Sequence, residues 1–240
     1  MIFHQHLNPS CIAVAGTWDP PLPRHIALLE ELRRYSKRHA LKPYVIIFYP
    51  NPQNLVRLNP RKEYFDLEAR IALLNRMRLK NIVVIELSKE DLQREVGNFF
   101  DELFQHTGIL LTELWAGENQ SLGGGQQGFQ SLDKACSTRN IKLRKLKNSF
   151  LVNLDKEAVY PEFNKSNFEA TAALTGYYPT YKLNENGLID IHDGAYKARL
   201  RVDPFDPAGE LQLSVTISNG ILEPFDKTAG FDWLVLLQRI

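Results

Sequence analysis

Alternation of strand-like and helix-like segments governs what this chain can fold into. Cys11-Ile12-Ala13-Val14-Ala15 is a short apolar run closed by Gly16, the pattern of a strand buried on both faces of a parallel sheet. Residues 25–39 carry Ile26, Leu28, Leu29, Leu32 and Tyr35 at helical spacing. A β-rich run at 44–49 stops at Pro50 and Pro52. The pattern repeats: a helix is expected at 65–77, a strand at 82–85, a helix at 92–104, a strand at 109–115, a helix at 129–136 and a strand at 141–146. Such a series predicts an α/β fold, with a Rossmann-like parallel sheet covered by helices over residues 1–150. Ligands in these sheets bind at the carboxyl ends of strands, beside a topological switch point. The loops after the first, second and fourth strands are therefore where chemistry is sought.

Beyond residue 146 the rhythm changes. A short helix is expected at 167–174, with Gly176 placed to end it. From residue 180 onward come short strands at 195–202, 211–217 and 233–237, with turn signals at Asn186-Gly187, Asp193-Gly194 and Asn219-Gly220. This reads as a helical linker over 151–179 and a small antiparallel β domain over 180–240.

Charge and composition exclude several classes of function. The formal net charge is +1, and no basic stripe with interleaved aromatics occurs, so nucleic acid is not an expected partner. No apolar run reaches the ~20 residues of a membrane span. The first nine residues lack the basic and apolar regions of a signal peptide, so a cytoplasmic protein is expected. The two cysteines, Cys11 and Cys136, have no metal-ligand spacing and read as buried small hydrophobes. The remaining histidines, His4, His6, His39, His106 and His192, show no metal spacing either, and no metal site is expected from protein ligands.

Gly16-Thr17-Trp18-Asp19-Pro20-Pro21-Leu22-Pro23-Arg24-His25 follows the first strand and opens the first helix. It resembles the G-x-F-D-P/G-x-H-x-G-H signature of nucleotidyltransferases. Phe48-Tyr49-Pro50-Asn51-Pro52 is similar to the F-x-P-H-P element of bacterial FAD synthetases, and Leu67-Glu68-Ala69-Arg70-Ile71-Ala72-Leu73-Leu74 to their L-x-x-K-I-x-x-L helix. The segment from Trp115 to Gly128 resembles their G-x-D-F-x-F-G-x-x-x-x-G loop, with Gly117, Gly123 and Gly128 on the glycine positions and Asn119 on the aspartate. The chain thus resembles the bifunctional riboflavin kinase/FMN adenylyltransferase family. His192-Asp193-Gly194-Ala195-Tyr196 resembles a strand of the riboflavin kinase barrel, but the G-x-P-T-A-N element is missing, so a truncated barrel without kinase activity is expected.

The resemblance implies roles for residues. His25 and Asp19 stand at the catalytic positions. Gly16, Thr17, Trp18, Arg24, Gly117, Asn119, Gly123 and Gly128 are implied to bind nucleotide, and Phe48, Pro50 and Asn51 to border the flavin. ATP with Mg²⁺ and FMN or FAD are the implied ligands. In the signature, unpaired N–H groups at a helix start receive a phosphate, and two histidines stabilise its developing charge. Here the first histidine is Leu22 and the glycine is Arg24. The family's S-S/T-x-x-I-R motif falls near Asp155-Lys156-Glu157-Ala158-Val159-Tyr160, without hydroxyls or arginine. Two readings follow: a weakened or repurposed nucleotidyltransferase, or a non-catalytic nucleotide- or flavin-binding protein that acts through a protein partner. From its sequence, Arg70 is expected to form a surface salt bridge, and Trp18 to pack in the core.

Overall fold

The computed structural model describes residues 10–93, 96–117, 128–146, 156–184, 191–219, 221–223 and 231–240. The elements run β1 (Cys11–Gly16), α1 (Pro23–Arg38), β2 (Lys42–Tyr49), α2 (Pro52–Val56), α3 (Leu67–Arg76), β3 (Ile82–Glu86), α4 (Val96–Thr107), β4 (Leu111–Gly117), α5 (Gly128–Ser137) and β5 (Lys142–Leu146). They continue with α6 (Lys156–Asn164), α7 (Phe168–Thr175), β6 (Thr180–Lys182), β7 (Gly194–Arg201), β8 (Leu211–Ser218), β9 (Ile221–Glu223) and β10 (Trp233–Arg239).

The chain divides into two compact units. The first comprises Met1–Thr17, Leu28–Pro60 and Leu79–Phe150. Its sheet has the order β3-β2-β1-β4-β5, and every neighbouring pair is parallel. The expected Rossmann-like sheet is therefore present. β1 is central and buried over Cys11 to Ala15, which is why it reads as an unbroken apolar run rather than an alternating one. One face packs Ile46, Phe48, Phe100, Leu103, Leu114 and Leu132 together. On α1, Tyr35 packs edge-on against Trp115 at 5.2 Å and donates to Glu113 at 3.1 Å. Trp115 Nε1 donates to the other oxygen of the same carboxyl at 2.9 Å, so the buried Glu113 is hydrogen-bonded on both oxygens. Both cysteines are buried and neither forms a disulfide, and burial pushes the Cys136 thiol up to about 11.

The second unit comprises Trp18–Ala27, Arg61–Arg78 and Leu151–Ile240. Its sheet is antiparallel, in the order β6-β10-β7-β8-β9. Tyr196, Ala198, Leu200, Val215, Ile217, Leu234 and Leu236 alternate inward along its strands, and Tyr64, Phe65, Val159, Phe163 and Phe168 join them in one core. A half-buried sheet requires this alternation. The turn signal at Asp193-Gly194 lies at a described strand end, as does Asn219; Gly220 and Asn186-Gly187 lie outside the described residues.

Several elements differ from the sequence expectation for local reasons. Pro50 and Pro52 read as breakers, yet Pro52 is the first residue of α2, where a missing N–H costs nothing. The Asn51 side chain caps that helix by accepting the Gln53 N–H at 3.0 Å. α6 contains Pro161, which hides its helical pattern. Buried Val159, Tyr160 and Phe163 hold it instead. α3 starts at Leu67 because the Asp66 carboxylate accepts the Ala69 N–H at 2.7 Å. α7 is closed by Gly176 in the left-handed conformation, φ +85°, the reason glycine stands there.

Candidate functional site

The turn between β1 and α1 is held by backbone conformation and a buried carboxylate. Trp18 has φ +57°, a left-handed conformation that strains a bulky residue. Its ring is buried and meets His25 edge-on at 5.8 Å, in line with the core role expected. The neighbouring carboxylate holds the turn in place. Asp19 accepts the N–H groups of Phe65 at 2.8 Å and Tyr64 at 3.1 Å, and the Tyr160 hydroxyl donates to it at 3.4 Å. Asp19 is only 3% exposed.

The helix start that follows offers little to an anion. Leu22 donates its N–H to the Pro20 carbonyl at 2.9 Å, and His25 donates its own to the Leu22 carbonyl at 2.8 Å. Pro23 has no N–H. Of the four positions from Leu22 to His25, two donate within the turn and one is proline, so the amide cradle expected from the signature is not what this turn presents. The Leu22 side chain is fully buried in the core of its unit. His25 Nδ1 lies 3.2 Å from the Pro20 carbonyl. An N–H on Nδ1 suits that contact. The backbone from Leu22 to His25 therefore turns two of its donors inward, away from an incoming phosphate. The described residues also hold no group of three or more His, Cys, Asp or Glu suited to a metal ion.

Beneath the turn lies a buried ionic cluster, which corrects the expectation for Arg70. The residue does not form a surface salt bridge: its side chain is fully buried. Its Nη2 lies 2.7 Å from Glu63 Oε1 and 4.0 Å from Asp19 Oδ2. Nε and Nη2 also donate to the Phe65 carbonyl at 3.0 and 2.9 Å. The sequence conceals this because an L-x-x-R-I-x-x-L helix normally turns its cation to water, and the partners that hold it inside come from other segments. Glu63, Tyr64 and Tyr160 were absent from the sequence candidates for the same reason. Burial, against the pull of Arg70 and with the push of Asp19, raises Glu63 to about 7.

In the first unit, the remaining candidates gather at strand ends. Gly16 closes β1 opposite Ile47 of β2, and Gly117 closes the adjacent β4. A Cβ placed on Gly117 would meet nothing within 4 Å among the described residues. Thr17 follows Gly16 and is half-buried. Phe48 is buried and packs against Phe99 with centroids 5.9 Å apart, so its ring belongs to the core. Pro50 is half-buried, and Asn51 is the cap of α2. Arg24 is half-buried in the second unit. Asn119 and Gly123 lie outside the described residues, and Gly128 is the first residue of α5. The segment matched to the triphosphate motif contains the start of α6, where Val159 and Tyr160 are buried.

Known proteins place these observations. A solved structure described as a macrolide-efflux protein from Streptococcus pneumoniae superposes with a TM-score of 0.69, over 97% of this chain and 86% of that one. At 12% identity the likeness concerns the fold alone. No curated sequence relative matches. No helix among the described residues is long and apolar enough to cross a membrane. The model of the FAD synthetase family matches residues 4–158, a span that takes in the turn from Gly16 to His25, both strand ends and the beginning of α6, and on that match this chain belongs to the FAD synthetase family.

Proposed function

We propose that this family member binds a flavin or an adenine nucleotide at the carboxyl ends of β1 and β4 and has lost most or all adenylyl transfer. The observation that carries this reading is the contrast between two loops. The sheet order changes direction between β1 and β4, the position where open α/β sheets bind ligands. Among the described residues, nothing lies within 4 Å of a Cβ built on Gly117 there. The β1–α1 turn, by contrast, binds its own amides and buries Leu22 where the family has histidine. Binding through backbone groups at a strand end needs no such histidine, whereas stabilising a leaving pyrophosphate does. Gly16 and Gly117 are the residues assigned to the ligand, with Thr17 and Pro50 beside them. Asp19 is assigned to positioning the turn.

Calorimetric titration with FMN, FAD and ATP–Mg²⁺, alongside a pyrophosphate assay, tests the proposal. Binding of at least one ligand with no pyrophosphate above the blank is the expected result. FMN-dependent pyrophosphate release overturns the loss of transfer and restores the reading of a slow FMN adenylyltransferase. Absence of binding by all three overturns the binding role. Gly117→Val is expected to weaken binding about tenfold or more by filling the strand end, with an unchanged circular dichroism spectrum.

Leu22→His, the substitution that rebuilds the family signature, is expected not to restore transfer. An imidazole at that position enters an apolar core, at a cost of about 2–5 kcal/mol. Urea unfolding of the variant measures that loss. A variant as stable as the parent that gained activity would show that position 22 reaches a ligand.

A further inference from the structure

The parallel sheet ends on β3 at one edge and β5 at the other. Exposed strand edges invite pairing, and proteins blunt them with charges, prolines or bulges. β5 is blunted: Lys142, Arg144 and Lys145 occupy three of its positions, so two copies of it repel. β3 is not. Its sequence is Ile82-Val83-Val84-Ile85-Glu86, its pairing with β2 runs without a register shift, and residues Ile82 to Ile85 are partly exposed.

The backbone of β3 is oriented for a second strand. Val45 donates to the Asn81 carbonyl at 3.0 Å, and Leu87 donates to the Tyr49 carbonyl at 2.7 Å. Odd-numbered residues 81 to 87 therefore direct their polar groups toward β2. Ile82, Val84 and Glu86 direct theirs outward, since N–H and C=O groups alternate sides along a strand. Among the described residues no other strand pairs with that edge.

We propose that β3 pairs antiparallel with β3 of a second copy of this chain, about a two-fold axis through Val83, joining the two parallel sheets edge to edge. Only registers that oppose outward residues to outward residues complete the hydrogen bonds. With the axis at Val83, Ile82 lies opposite Val84 of the second copy, Val83 opposite Val83, and Lys80 opposite Glu86. The contact is isologous, so the last pair occurs twice. Lys80 and Glu86 are both exposed and of opposite charge, which identifies a second copy as the occupant: the edge is complementary to itself. Moving the axis to Val84 places Glu86 opposite Ile82 and breaks both charge pairs. The edge is short, so the interface falls below the ~1,600 Å² of a standard complex, and association in the micromolar range is expected.

Sedimentation velocity on the full chain, from about 1 to about 200 μM, tests the proposal. A reversible monomer–dimer equilibrium is expected. Lys80→Glu and Glu86→Lys each set like charges opposite one another at both ends, and each is expected to raise the dissociation constant about tenfold or more. The double reversal K80E/E86K restores complementarity and is expected to return the constant to within about threefold of the parent. Val84→Pro removes an outward N–H that β2 does not use, and is expected to give a folded monomer. A chain monomeric at every concentration overturns the proposal. A dimer unaffected by either single reversal, or not recovered by the double one, also overturns it. So does loss of the dimer only in the proline variant, which would assign the edge a register other than the one centred on Val83.

Discussion

Arg70→Ala is expected to lower the unfolding free energy by about 3–5 kcal/mol, the cost of breaking a buried ion pair by deleting one side. The guanidinium is fully buried and stands between Glu63 at 2.7 Å and Asp19 at 4.0 Å. Removing it leaves two carboxylates inside with no cation, and frees the Phe65 carbonyl of two donors. Asp19 also accepts the Tyr64 and Phe65 N–H groups, so the damage reaches the turn at Trp18 as well as α3. Arg70→Lys keeps the charge but loses the two-pronged contact with the Phe65 carbonyl, and an intermediate loss is expected. Urea unfolding followed by circular dichroism and tryptophan fluorescence measures both. A loss under about 1 kcal/mol for the alanine variant would mean that the cluster does not hold the unit together.

Stability should fall as pH rises through neutrality. One arginine faces two carboxylates, and a single cation compensates a single anion. Burial raises Asp19 as well, but two backbone N–H groups and a tyrosine hydroxyl donate to its carboxylate and oppose that rise, so the shared proton is assigned to Glu63. Burial first, with Asp19 adding to it and Arg70 opposing, raises Glu63 from 4.5 to about 7. Because the folded-state value exceeds the unfolded one, the folded protein binds the extra proton between about pH 4.5 and 7. Stability from this group is full below that window and is lost as pH climbs through it, by on the order of 3 kcal/mol. Asp66, raised by burial from 3.8 to about 6, acts in the same direction at lower pH. Urea midpoints measured from pH 5 to pH 8 are expected to decline, and Glu63→Gln should remove most of the slope. A flat profile in the parent would mean that Glu63 stays ionised beside Arg70. The two experiments are linked: at pH 5, where Glu63 is protonated, the penalty for Arg70→Ala should shrink.

The elements visible in the sequence were those whose local pattern and tertiary role coincide. β1 is continuously apolar because both its faces are covered, and α7 has Asn167 before it and Gly176 after it. α6 was hidden because its stability comes from the burial of Val159, Tyr160 and Phe163 and not from its own propensity, which Pro161 lowers. The glycines at the strand ends and the altered signature were also legible. What Leu22 does in place of histidine was not: the sequence marks a lost donor, and the structure adds that the side chain fills a core.

The sequence by itself determined most of the order of strands and helices, with α2 and α6 excepted, and the family and the substitutions in its signature, because periodicity, capping and motif spacing act over a few residues at a time. Tertiary structure alone decided that Arg70 is buried, that Asp19 accepts the amides of Tyr64 and Phe65, and that the helix start binds its own backbone. The physical reason is that desolvation and pairing depend on which distant segments meet. A cation on a helix is written in the chain with the same letter whether water or two carboxylates surround it.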